Sequence, residues 1–194
     1  IGDDEDYNSY MEQSDELANF VKNNFPRYNL EKIYFDAYPL VVSSQGASYP
    51  EVTKAINNRF NQGALIVNYI GHANPTWMSH EKVMMINDVQ LWRNMDRLPL
   101  FITATCEFSR FDDYLHKSIG EHTLFSPKGG TIGLVSTSRV VYASPNYTLN
   151  KNFFNNVVAK KEGVEGTASD KYYRLGDVLR IAKTQSGSGN NKRN

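Results

Sequence analysis

Two runs of apolar and β-branched residues constrain this chain more than any other feature, because each closes on a side chain able to do chemistry. The first, ALIVNYIGHA, carries His72 near its end, and the second, LPLFITATC, ends on Cys106. Continuous runs of this kind suit strands buried on both faces of a parallel sheet. The polar and aromatic spacer between them is long enough for the crossover that a parallel pair requires. Neighbouring strands lie about 4.8 Å apart. His72 and Cys106 would then share one edge of the sheet, at the carboxyl ends of its strands, where open α/β sheets place their ligand sites.

Each residue also has a plainer reading. A lone Cys after an apolar strand is commonly a small buried hydrophobe, and a lone His at a strand end is commonly a hydrogen-bonded structural residue. Taken together, they set a nucleophile and a base within reach of each other.

The rest of the chain alternates strand-like runs with capped helical stripes, which predicts a three-layer α/β/α domain with a mostly parallel sheet. Its strands are expected near residues 32–37, 64–70, 100–105 and 131–137. GDDED, residues 2–6, reads as a solvated acidic turn that complements the dipole of the following helix, in preference to a cation site. A helix over 9–24 carries a stripe of Met11, Ser14, Leu17, Ala18 and Val21, with Ser9 and Glu12 as its capping box. Residues 39–50 read as a loop. Ser48 and Glu51 suggest a second capping box, Pro50 a first helical turn, and Gly63 a stop. Trp77, Met78, Met84, Met85 and Trp92 either line a groove near His72 or pack as ordinary core, and a short helix is expected near 87–95. Glu107 to Lys117 is a polar, aromatic loop at the edge that carries Cys106. Ser118 and Glu121 cap a third helix that residues 126–130 end. Residues 138–145 form another loop at the same edge, and Pro145 opens a helix over 146–161. GVEGTAS is a linker, and a last helix over 170–183 is expected to bury Leu175, Val178, Leu179 and Ala182.

The 21 basic and 21 acidic residues cancel, so nothing favours nucleic acid or an anionic surface. One cysteine excludes an internal disulfide framework. No signal peptide and no run long enough to cross a bilayer are visible. Ile1-Gly2 looks like the end of a strand and SGSGNNKRN has no element after it, so the sequence reads as a piece of a larger protein. His80, His116 and His122 show no metal-ligand spacing, and no metal site is expected. Phosphate-loop, dinucleotide and serine-hydrolase motifs are absent from the sequence.

A Cys–His pair performs acyl transfer: the thiolate attacks a carbonyl carbon, and the imidazole hands a proton to the leaving amine. The N–H groups of Ala73 and Cys106 are the natural oxyanion donors, and Gly71 lets the chain turn before His72.

These residues resemble the caspase-like clan of cysteine peptidases, and within it the gingipain family. VNYIGHA stands beside a family pattern of VNYxGHG, and LPLFITATC beside LPFI followed by a Cys. GDDEDYNSYMEQSDELA resembles the segment that opens this half of a gingipain catalytic domain. Residues 130–145, ending YASP, resemble the segment ending WASP that walls the primary specificity pocket. ATCEFSRFDD and TIGLVSTSRVVYASPNYTLN are most similar to the gingipain-like sortases of the type IX secretion system. The resemblance implies His72 and Cys106 as catalytic residues, Ala73 and Cys106 as oxyanion donors, and Glu107, Arg110, Tyr142 and Ser144 as substrate contacts. It implies no required cofactor, with calcium compatible. It implies peptide substrates, secreted cargo losing a C-terminal signal domain, and outer-membrane secretion components as partners on the extracellular side. Hydrolysis and transpeptidation both stay open. On this reading residues 1–185 are the C-terminal part of a catalytic domain cut at both ends, and 186–194 a flexible tail.

Three residues depart from the family pattern. Ala73 replaces a Gly, which would add a methyl beside the substrate. Glu107 directly follows the Cys, and a carboxylate there disfavours a thiolate unless it points elsewhere. Tyr142 stands in place of Trp, so a preference for basic residues does not transfer. The acidic residues that orient the His in gingipains are expected upstream of Ile1. The alternative to a peptidase is a catalytically inactive surface interaction module on the same scaffold.

Overall fold

A computed structural model describes residues 1–161, 165 and 171–187. In chain order the elements are α1 (Ser9–Asn24), a 3-10 turn at Phe35–Ala37, β1 (Val41–Ser43), β2 (Gly46–Ser48), α2 (Pro50–Gln62), β3 (Ile66–Ile70), β4 (Trp77–Met78), β5 (Met84–Met85), α3 (Ile86–Leu91), β6 (Leu100–Ala104), α4 (Ile119–Phe125), β7 (Gly133–Val135), α5 (Ala143–Val158) and α6 (Leu175–Gln185).

The central sheet runs β3-β6-β7, and both pairings are parallel. Every residue of β6 is buried, as its uninterrupted apolar run requires of a strand covered on both faces. Alternate side chains supply two cores. Val67, Tyr69 and Phe101 join Val52, Ile56, Phe60, Trp92 and Ile119 on the face covered by α2, α3 and α4. Ile70, Leu100, Ile102 and Ala104 join Leu17, Val21, Phe153, Phe154 and Val178 on the face covered by α1, α5 and α6. The architecture is therefore α/β/α in three layers, as the alternation of runs and stripes predicts.

Several local expectations are corrected. Residues 32–37 are not a strand. Tyr34 makes one parallel bridge to Gly2, and the chain then turns through Phe35–Ala37. Gly2 also bridges Ile70, so the first residues run beside β3. Residues 41–48 are an antiparallel hairpin instead of a loop. The expected capping boxes at Ser9 and Ser48 do not form: Asn8 precedes α1 in a left-handed conformation, and Tyr49 precedes α2. The box at Ser118 and Glu121 does form, with Glu121 N–H donating to Ser118 Oγ at 3.4 Å and Ser118 N–H to Glu121 Oε2 at 2.8 Å. Leu175 is exposed at the start of α6, while Val178 and Ala182 are fully buried. The GVEGTAS linker apart from Glu165, the start of the last helix at Asp170 and most of the 186–194 tail lie outside the described residues. No helix among the described residues is long and apolar enough to cross a membrane.

Candidate active site

The register of β3 against β6 pairs Ile70 with Ala104. His72 and Cys106 each lie two residues further on, so both leave the sheet at the same level of the same edge. Gly71 N–H still reaches Ala104 O at 3.4 Å, which carries the ladder one step past the named strands.

Gly71 is required there by crowding. A Cβ at this position would lie 2.4 Å from Asp3 Cβ and 2.5 Å from the Tyr69 hydroxyl, closer than side-chain atoms can approach. The sequence suggested a need for a sharp turn; the structure shows a close approach instead. Asp3 is fully buried. Its Oδ2 accepts from His72 N–H at 2.9 Å, and the Tyr69 hydroxyl is shared between that oxygen (3.1 Å) and His72 O (2.8 Å). Burial raises the Asp3 pKa above the usual value of 3.8, against the opposing pull of these hydrogen bonds. Asp3 thus fixes the main chain that presents the imidazole.

The acidic stretch is a turn, but only partly solvated: Asp3 is buried, while Asp6 is exposed. Asp6, Tyr7 and Asn8 take φ of 52°, 56° and 65°, a strained run for non-glycine residues. It folds residues 5 and 6 back over the sheet edge. Glu5 Oε2 then lies 3.3 Å, and Asp6 Oδ2 3.5 Å, from His72 Nε2. The Tyr10 ring meets the imidazole edge-on at a centroid distance of 5.2 Å, while its hydroxyl donates to Asp6 Oδ2 at 2.5 Å. Burial is the main reason that the Tyr10 hydroxyl is pushed above its ordinary pKa. Two carboxylates against His72 therefore come from residues 5 and 6 of this chain. The signal that could have found them was the density of acids directly before a helix start.

Cys106 is half-buried, and its Sγ donates to Val141 O at 3.6 Å. The carbonyl before it, Thr105 O, is clamped by Thr137 Oγ1 at 2.7 Å and Asn146 Nδ2 at 3.1 Å, both from buried side chains. Glu107, directly after the Cys, has φ 48°, so the chain bends sharply away from the thiol. Glu107 N–H then donates to Arg139 O at 3.2 Å, and Ser109 N–H to Thr137 O at 3.0 Å. These bonds zip the two loops that the sequence placed at this edge. The Glu107 carboxylate is engaged by Arg110 Nη1 at 3.3 Å, which offsets its charge near the thiol. Arg139 pairs with Asp112 across the loops.

The other predicted site residues fall as follows. Ala73 is half-buried and packs its methyl against the core. Among the described residues, no acceptor is hydrogen-bonded to the main-chain N–H of Ala73 or of Cys106. Tyr142 directly follows the residue that accepts from Cys106 and is 73% exposed; Ser144 is exposed in the first turn of α5. Met78, Met84 and Trp92 are fully buried core, with Trp92 stacked on Phe60 at 3.9 Å. Of the five groove candidates only Trp77 and Met85 reach the surface, so core packing accounts for the rest. His116 is exposed beside Asp113. His80 was set aside in sequence, yet it sits against the site: its ring centroid is 4.9 Å from that of His72, and its Nδ1 meets Glu5 at 2.6 Å.

The sequence model of peptidase family C25 matches residues 1–194. No curated protein sequence matches the chain. Solved structures of similar fold include the Arg-specific cysteine proteinase gingipain R (RgpB), with a TM-score of 0.71 and 18% identity over 92% of this chain and 37% of that one. A complex of the pro- and mature domains of RgpB from Porphyromonas gingivalis gives a TM-score of 0.73 and 16% identity over 96% of this chain and 41% of that one. A structure described as a protease gives 0.51 and 17% over 71% and 32%. At these identities the likeness is one of fold, and the chain spans at most 41% of the length of these structures.

Proposed function

The chain belongs to peptidase family C25, and from that premise we propose that it carries the chemistry of a cysteine peptidase, with Cys106 as nucleophile and His72 as its base. The observation that carries the reading is the register: Ile70 faces Ala104, and the two reactive side chains follow at equal distance.

Each residue then has a task. His72 Nε2 faces Glu5 and Asp6, which orient the ring. That leaves Nδ1 for the thiol proton. The thiolate attacks the peptide carbonyl carbon, and the N–H groups of Ala73 and Cys106 receive the developing oxyanion. The C–N bond breaks, the imidazolium gives its proton to the departing amine, and a thioester remains on Cys106. Water, deprotonated by His72, releases a carboxylic acid; an amine in its place yields a new amide. Glu107, Arg110 and Tyr142, on the loops that follow β6 and β7, and Ser144, in the first turn of α5, would contact the residue preceding the scissile bond.

The similarity of residues 104–113 and 131–150 to gingipain-like sortases supports a narrower reading. The substrates are secreted proteins that lose a C-terminal sorting domain at the cell surface, in company with outer-membrane secretion components. Incubation with such a cargo, followed by intact-mass measurement, tests both levels. A thioester adduct on the chain that Cys106→Ala lacks supports peptidase chemistry; cleavage confined to the junction before the sorting domain supports the sortase role. No adduct with any peptide would defeat the first reading, and indiscriminate cleavage the second.

A further inference from the structure

We propose that Glu5, His72 and His80 form a binding site for a borderline divalent cation of the zinc class, and that an ion held there takes His72 out of use as a base. The second half rests on the reading of His72 given above; the first does not.

The three side chains come from three separate segments: Glu5 from the turn before α1, His72 from the end of β3, and His80 from the turn between β4 and β5. Glu5 Oε2 lies 3.3 Å from His72 Nε2 and 2.6 Å from His80 Nδ1. The three donor atoms fall within 4.8 Å of one another. Donors around a tetrahedral zinc, each about 2.1 Å from the ion, sit about 3.4 Å apart, so small side-chain rotations bring these three to coordinating distance.

The frame behind them is held. Ser79, at φ 55°, donates its N–H to His72 O at 2.9 Å, and Ala73 bridges Met78. The turn that carries His80 is therefore tied to the main chain of His72. The surroundings favour a cation: Asp6 Oδ2 lies 3.5 Å from the same His72 nitrogen, and Asp3, Asp4 and Glu81 cluster in the adjoining corner. Two imidazoles with one carboxylate suit zinc, copper or nickel, whereas calcium and magnesium prefer all-oxygen sets. The His80 side chain is 66% exposed, which gives an ion a route from solvent.

Coordination has a defined chemical consequence. An ion on Nε2 displaces any proton there, and a neutral imidazole bound through Nε2 carries its proton on Nδ1. The ring then cannot accept the thiol proton, so occupancy and nucleophile activation exclude each other.

The test titrates the chain with Zn²⁺ against a chromogenic chelator and with Co²⁺ by visible absorption, while Cys106 alkylation is followed at each zinc level. The result expected is one ion per chain, weakened at least about tenfold by His80→Ala and by Glu5→Gln, retained in Cys106→Ala, with alkylation slowed as the site fills. Unchanged zinc affinity in His80→Ala, or loss of binding in Cys106→Ala, overturns the site; the latter would put the ion on the thiolate. Zinc binding that depends on His80 but leaves alkylation unchanged overturns the inhibitory half, and with it the role of His72 as base. Alkylation that depends on His72 in a chain binding no zinc overturns the metal site alone.

Discussion

His72 and Cys106 stand in register, each two residues past the paired Ile70 and Ala104 on adjacent parallel strands. Antiparallel pairing of the same two runs would have put them at opposite edges. The fold therefore sets the two residues at one edge of the sheet before any loop is considered, and the turn before α1 adds the acids beside His72.

Gly71→Ala should break this arrangement. The added methyl would lie 2.4 Å from Asp3 Cβ, and neither partner is free to move, since Asp3 is buried and bonded to His72 N–H. The expected cost is about 3 kcal/mol, the upper end for overpacking, or roughly 6–12 °C in Tm for a chain of this size. Thermal denaturation checks it. A variant as stable as the parent would show that the Asp3 corner is loose.

Asp3→Asn should give a stability difference that depends on pH. Burial raises the folded-state pKa of Asp3 above 3.8, so its stabilising contribution is greatest below the unfolded value and is lost as pH rises through the folded value. The variant does not titrate there. Its stability relative to the parent should therefore improve between pH 4 and pH 7, even if its absolute Tm is lower because the single Asn oxygen cannot accept from both Glu5 N–H, 3.3 Å from Asp3 Oδ1, and His72 N–H, 2.9 Å from Asp3 Oδ2. A Tm difference constant over that range would contradict the assignment of Asp3 as a strained, buried acid.

Tyr142→Ala should alter which residue is accepted before the scissile bond, with little effect on stability, because Tyr142 is 73% exposed while Val141 holds its contact to Cys106 through the main chain. Cleavage profiling of a peptide library reads the outcome. An unchanged profile would remove Tyr142 from the pocket wall.

How much of this was legible in the sequence varies with the range of the interaction responsible. The strands at 66–70 and 100–104 were readable because burial on both faces leaves a run of mostly apolar and β-branched residues. Helix α1 was readable from its stripe. Residues 32–37 misled because KIYFDA has strand composition, while its pairing is a single bridge to Gly2, a contact between distant segments that no local pattern encodes. The acids at 3, 5 and 6 were seen but read only as solvated charge, whereas Asp3 is buried and Glu5 and Asp6 face His72. Their true position depends on three consecutive left-handed residues, and neither Asp6 nor Tyr7 announces that conformation as a glycine would. His80 was passed over because ligand spacing along the sequence says nothing of three segments meeting in space.

The most direct measurement of the central claim is the alkylation of Cys106 by iodoacetamide, which in a chain with one cysteine reports on that thiol alone. Rates across pH, in the presence of a chelator, should show a reactive thiol in the parent chain. His72→Ala should slow the reaction at neutral pH, and peptide turnover, where present, should fall by roughly 10²–10⁴-fold, as loss of a general base does. His116→Ala and His122→Ala should stay within a few-fold of the parent in both. A thiol as reactive without His72 as with it, or a loss that follows His116 or His122 instead, would contradict the account.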